Sequence, residues 1–183
     1  MTEMSSTAQI FYAHTSDGFL VVRVVGRGDS SLSPSLKHVL EQEEKPGTLP
    51  EPLHYVVDLS GCSALDSTFM GVMAEMGLKQ MSRSAAKMQV VNTTPLTKTQ
   101  MEKLGLGYIL DIYPRDGQVG TAPNGQFKAS DQVVLDKMNR IVHMMEAHQT
   151  LIDIHSGNEV PFRPVLDHLS NSLNRETHKQ DFS

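Results

Sequence analysis

Five short apolar runs, with helix-start signals between all but the first two, constrain this chain more than any other feature. That order predicts an α/β domain in which helices cover a sheet. "IFYAHTSDGFLVVRVVGRG" reads as two strands joined at Asp17-Gly18, a dipeptide suited to a tight hairpin turn. Ser33 before Pro34 predicts a helix start, a hydroxyl cap followed by the helical position that proline favours. Leu36, Val39 and Leu40 give that helix an apolar face, and "KPGTLPEP" predicts its end. "LHYVVDLS" is a third strand closed by Asp58, and Gly61-Cys62-Ser63 predicts a turn. A helix over 66–81, a strand at "KMQVVN", a helix capped by Thr94-Pro95 and closed at Gly105, and a strand at "YILDIY" complete the pattern.

Beyond Tyr113 the pattern changes. Residues 114–130, rich in Pro, Gly and Asn, predict a linker between a domain at 1–113 and a helical extension at 131–183. Val134, Met138, Ile141, Met145 and Ile152 lie along one helical face, interrupted by His148. Gly157-Asn158 breaks that helix, and Val165, Leu166, Leu169 and Leu173 stripe a second. The polar end, "NRETHKQDFS", predicts fraying. A stripe of this size is costly to leave in water, so it must pack on its own domain, on the following helix, or on a second copy in a homodimer.

Composition narrows the functions. Lys and Arg number 16 against 21 Asp and Glu, which opposes non-specific nucleic-acid binding. No apolar run approaches a membrane span, and the first residues have neither a basic nor an apolar signal segment. Cys62 is the only cysteine, which excludes an intrachain disulfide and points to a reducing compartment, by default the cytoplasm. Cys62 itself reads as a small buried or turn residue.

Catalytic signatures are thin. The phosphate-binding glycine-lysine loop is absent, and Gly26-Arg27-Gly28 lacks the third glycine of a dinucleotide fingerprint. Ser60, Ser63 and Ser67 lie near Asp58 and Asp66, but no nucleophile-elbow motif frames them. A phospho-receiver reading of Asp58 lacks the acidic pair that would hold a divalent ion, so Asp58 is expected to fix the following turn through its own side chain. Of eight histidines, His143, His148, His155, His168 and His178 sit in the tail, where they read as solvated side chains. His143 and Glu146 share a helix face, but two ligands do not make a metal site. No metal, cofactor or enzymatic activity is expected.

Asp66, Ser67 and Thr68 immediately precede the Met-rich helix. Any of them can cap it, and a hydroxyl in a first helical turn also accommodates phosphate, because free N–H groups and the helix dipole stabilise the dianion. Met70, Met73, Met76 and Met81, with Phe69, Val72 and Leu78, make this helix apolar around most of its circumference. The excess apolar surface suits either a partner interface or cover from the C-terminal helices.

"VVDLSGCSALDSTFMGVM", "KMQVVNTTP" and "LGLGYIL" resemble, in order and spacing, the STAS domain, named for sulfate transporters and anti-sigma-factor antagonists. The resemblance covers roughly residues 8–113 and implies a STAS-like mixed β-sheet with helices in the order β-β-α-β-α-β-α-β, followed here by a helical hairpin. It places the phosphorylated hydroxyl on Thr68, with Ser67 second, and Asp66 as cap. Phe69 departs from the glycine that commonly follows the acceptor, and its ring is expected to narrow kinase access or reshape the partner surface. The resemblance implies a non-catalytic switch that binds an anti-sigma factor acting as a serine/threonine kinase, releases it on phosphorylation, and is reset by a phosphatase. Asp58, Ser60, Phe69, Met70 and Met73 are the expected partner-binding residues. Two alternatives remain open: a constitutive scaffold without phosphorylation, and a small-ligand or nucleotide binder using the same loop.

Overall fold

The computed structural model describes residues 7–44, 54–115 and 126–180. The expected helix end at "KPGTLPEP" and most of the expected linker lie outside these residues. The elements are β1 (Gln9–His14), β2 (Phe19–Gly28), α1 (Ser33–Glu43), β3 (His54–Leu65), α2 (Ser67–Ser84), β4 (Met88–Thr93), α3 (Pro95–Lys103), β5 (Leu110–Pro114), β6 (Lys128–Ala129), α4 (Lys137–Ile154) and α5 (Glu159–Gln180). They form the α/β fold that the sequence predicts: one sheet in the order β5-β4-β3-β2-β1-β6, with helices over it.

The β1–β2 hairpin is antiparallel and turns at Gly18, whose φ of 88° favours glycine. β2, β3, β4 and β5 pair in parallel. Alternation along the strands sorts their side chains between two faces. Leu20, Val22, Val24, Tyr55, Val57, Leu59, Met88 and Val90 join the main core with Leu36 of α1, Phe69 and Met73 of α2 and Met101 of α3. Val21, Val56 and Val91 form a small cluster on the opposite face, against Phe19, Tyr113 and Phe127.

Several expectations change. No turn forms at Gly61–Ser63: β3 runs through to Leu65, because β2 also extends to Gly28 and offers it a partner. Register shifts absorb the irregularity, and a side chain at Gly61 would sit 3.2 Å from the Val24 carbonyl oxygen. Part of the expected linker belongs to the sheet, since Lys128 and Ala129 pair with Tyr12 and Phe11. Ser33 does not cap α1; Leu32 holds the cap position with no side-chain hydrogen bond, which leaves the Ser33 hydroxyl free for another partner. The second tail helix does not fray where "NRETHKQ" begins but continues to Gln180, tied to the start of α4 by a 2.6 Å Lys137–Glu176 ion pair.

The tail packs on its own domain. Residues 131–136 run extended, held by hydrogen bonds from Ser130 N–H to the Ile10 carbonyl (2.9 Å) and from Val133 N–H to Ser35 Oγ (3.0 Å). α4 therefore starts later than expected, at its cap Asp136, and Val134 is left 89% exposed. Its buried residues are Ile141, His143, Ala147, His148 and Leu151, of which Ile141 alone belongs to the predicted stripe. Met145 instead lines a groove of about 650 Å³ between α4 and α5, with Leu166 and Leu173. Asn158 is buried at the reversal between the two helices and donates to the carbonyls of Leu151 (2.6 Å) and Leu104 (2.9 Å), which pins the reversal to the end of α3.

Candidate functional site

The first turn of α2 is organised by Asp66. One carboxylate oxygen accepts from the Phe69 N–H at 2.8 Å, the N-cap bond, and the other accepts from the Ser30 N–H at 2.9 Å. Asp66 N–H itself donates to the Gly28 carbonyl at 2.9 Å. One side chain thus fixes the helix start and the loop after β2, a role beyond an ordinary cap.

Phe69 does not flank Thr68 at the surface. It is fully buried and lies over Gly28, where an added Cβ would approach its ring to 3.1 Å and Leu65 to 2.6 Å. The absent side chain at Gly28 makes room for the bulky residue after the motif hydroxyls.

α4 crosses directly over this turn. An added Cβ at Gly71 would lie 2.4 Å from the Ala147 carbonyl oxygen and 2.8 Å from its Cβ, so glycine and alanine together permit close contact between the two helices. His148 Nδ1 lies 2.7 Å from the Met144 carbonyl and Nε2 lies 2.9 Å from Ser67 Oγ. Because a carbonyl only accepts, Nδ1 carries the proton in the neutral ring, and Nε2 accepts from the Ser67 hydroxyl. His143 Nε2 meets the Ser33 hydroxyl at 2.8 Å, joining α4 to α1. Burial, helped by the nearby Lys37 charge, holds the His143 pKa below its ordinary value. Lys37 bridges Glu75 of α2 (3.4 Å) and Glu146 of α4 (3.0 Å).

These contacts correct the reading of the tail histidines as solvated for two of them, whereas His168 and His178 are exposed as expected. His143 and His148 are buried and hydrogen-bonded. The helical pattern contained their positions, but no local signal marks the serine hydroxyls, 81 and 110 residues away, that receive them.

Thr68 is 2% exposed, and Phe69, Met70 and Met73 are buried as well. Cover by α4 therefore accounts for part of the extra apolar surface of α2, with Leu78 left 41% exposed, and these expected partner contacts are closed in this structure. Ser67 is partly exposed.

Asp58 and Ser60 are not brought to this site. Asp58 pairs in register with Arg23, on the face of the sheet opposite α2. Its carboxylate, 1% exposed, accepts from Arg23 Nε (2.8 Å), Asn92 Nδ2 (2.8 Å) and the Ser60 N–H (2.9 Å). Burial pushes the carboxyl up, but the bonds from Arg23, Asn92 and Ser60 outweigh it and hold the pKa below the ordinary carboxylate range. The Arg23 guanidinium also stacks 4.1 Å above the Phe127 ring. The Ser60 bond lies within β3 and not in the turn expected after Asp58, and the carboxylate ties β2 to β4. Ser60 is exposed and accepts from Arg115 through its carbonyl.

Cys62 is partly buried with its thiol pKa raised by burial. Among the described residues, no three His, Cys, Asp or Glu side chains converge on a common point, and no helix is long and apolar enough to cross a membrane.

Residues 11–118 match the family model of the STAS domain, and the chain belongs to that family. No curated protein matches. Among solved structures, a Thermotoga maritima protein provisionally described as an anti-sigma factor antagonist is 19% identical, with a TM-score of 0.47 over 56% of this chain and 83% of its own. The anti-sigma factor antagonist SpoIIAA in its unphosphorylated form is 14% identical, with a TM-score of 0.42 over 52% and 82%. A Shewanella loihica protein with a SpoIIAA-like fold is 14% identical, with a TM-score of 0.42 over 63% and 93%. At such identities and scores, none of the three says what this chain binds.

Proposed function

We propose that this chain is a non-catalytic protein switch of the anti-sigma-factor-antagonist kind. Its unmodified form binds an anti-sigma factor that is also a serine/threonine kinase, and phosphorylation of Thr68 releases that partner until a phosphatase removes the phosphate. The observation that carries the reading is the acid-Ser-Thr motif of a STAS domain at the start of the 18-residue helix α2, with Asp66 holding its first turn. A dianion there gains from the free N–H groups and the dipole, and it changes the surface by nearly two charges. Ser67, the more exposed hydroxyl, is the second acceptor.

The burial of Thr68 favours a second reading, in which the domain is a constitutive scaffold and the motif serves only to cap α2. Affinity capture from native lysate, with phosphosite mapping of wild type, Thr68→Ala and Ser67→Ala, separates the two. Phosphate on Thr68, lost in Thr68→Ala, together with a kinase-domain partner, supports the switch. A stable complex with other proteins and no phosphate at either hydroxyl supports the scaffold.

A further inference from the structure

We infer that α4 is a cis-acting lid on the motif face of α2, a competitor that any partner or modifying enzyme must displace. The inference rests on the reading of Thr68 and its surroundings as the working surface, and it adds how access to that surface is controlled.

Three observations converge on the lid. The first is steric: α4 meets α2 at Gly71, three residues after Thr68, with the Ala147 carbonyl where a glycine side chain would begin. No second helix can occupy that place while α4 is there. The second is chemical, since the Ser67 hydroxyl is engaged by His148 and Thr68 is almost without solvent contact. The third concerns what holds the lid. Ala147, Leu151 and Ile141 are buried, and the polar part of the attachment is two histidine–serine hydrogen bonds and the Lys37–Glu146 ion pair. Such contacts exchange for water at modest net cost, unlike the aliphatic strand residues beneath α2. Moreover, α4 and α5 lie wholly beyond the STAS match at 11–118, so the covering element is an addition to the family domain.

A lid of this kind sets a threshold. A partner whose surface is open only in a small fraction of molecules binds with its affinity reduced by that fraction. Whatever frees α4 then raises partner affinity without altering the motif.

The test reads exposure of position 68 directly in the full-length chain. Thr68→Cys in a Cys62→Ser background is labelled with N-ethylmaleimide, and amide exchange of β3 is followed in parallel. With the tail intact, labelling should be on the order of 100-fold slower than in denaturant, yet faster than β3 opens, as local opening requires. Ala147→Glu, which places a charge at the Gly71 contact, should speed labelling at least about tenfold while β3 stays protected. Leu151→Ala should fall between, and it decides the matter if Ala147→Glu also loses β3 protection.

Equal labelling with and without these substitutions would overturn the lid. So would labelling that keeps pace with β3 exchange, because α4 would then open only with the whole fold. No kinase or partner enters this assay, so its failure is independent of the phospho-switch. Conversely, a Thr68 that is never phosphorylated leaves the labelling result intact.

Discussion

Gly71→Ala isolates the contact between α2 and α4 with a single methyl group. In an isolated helix the change is stabilising by about 1 kcal/mol, because alanine is the better helix former. Here the new Cβ lies 2.4 Å from the Ala147 carbonyl oxygen and 2.8 Å from two further Ala147 atoms. Ordinary contact needs roughly 3.4 Å or more, so α4 has to move by about 1 Å, and backbone atoms of a packed helix do not give way as a flexible side chain does. Overpacking of this kind costs about 1–3 kcal/mol. The cost falls on α4 docking and the gain on α2, so the two effects separate in space. Hydrogen exchange resolved by residue is the assay. Amides over 141–151 should exchange about 5–150-fold faster in Gly71→Ala, the equivalent of 1–3 kcal/mol, while amides of β3 and β4 hold or improve. Unchanged or slower exchange in α4 would refute the close crossing and with it the account of why Gly71 and Ala147 face each other.

Asp66→Ala removes the acceptor for both the Phe69 and Ser30 N–H groups and should cost about 2 kcal/mol in denaturant unfolding, whereas Asp66→Asn keeps an acceptor oxygen and should cost less. Asp58→Ala strands the donors of Arg23 and Asn92 on the opposite face, with an expected loss of about 3 kcal/mol and no effect on exposure of position 68. Because the Asp58 pKa is depressed in the fold, wild-type stability from this group is full above about pH 4 and falls as pH drops below it, and Asp58→Ala should lack that part of the acid dependence in melts. His143 also weakens the fold on acidification, but because its neutral form is the one that docks. Its folded pKa is lowered, so below about pH 6.5 the released ring takes a proton more readily than the docked one, and docking weakens. Lys37 of α1 opposes that proton, and Glu146 of α4 and Asp66 of α2 favour it. Amide shifts of α4 across this range should report opening, and His143→Gln should flatten the response.

The first five strands, the hairpin at Gly18, the Thr94 cap and the position of Asp66 were legible in the sequence because each depends on local patterning or local hydrogen bonding. Thr94 accepts from the Thr97 N–H at 3.1 Å, as an N-cap should. What was not legible came from contacts between distant segments. Ser33 carries every local mark of a cap, yet its hydroxyl goes to His143, 110 residues away. The apolar stripe of α4 pointed to Met145 as a docking residue, but the crossing at Gly71 requires a small residue, and Ala147 supplies it. An apolar periodicity finds faces that avoid water. It does not find a face chosen by steric fit and polar pairing, and the alternation of β3 likewise gave no hint that β2 would extend alongside it through Leu65.

The most direct measurement places a phosphate at Thr68 by semisynthesis in the full-length chain and follows amide exchange in α4. A dianion at a position 2% exposed, on the same turn as Ser67 held by His148 and three residues before Gly71 under Ala147, is incompatible with a docked lid. The account predicts that amides over 141–151 lose their protection while β3 and the body of α2 keep theirs. If α4 remains as protected in the phosphorylated chain as in the unmodified one, the motif turn and the tail are not coupled, and the account is contradicted.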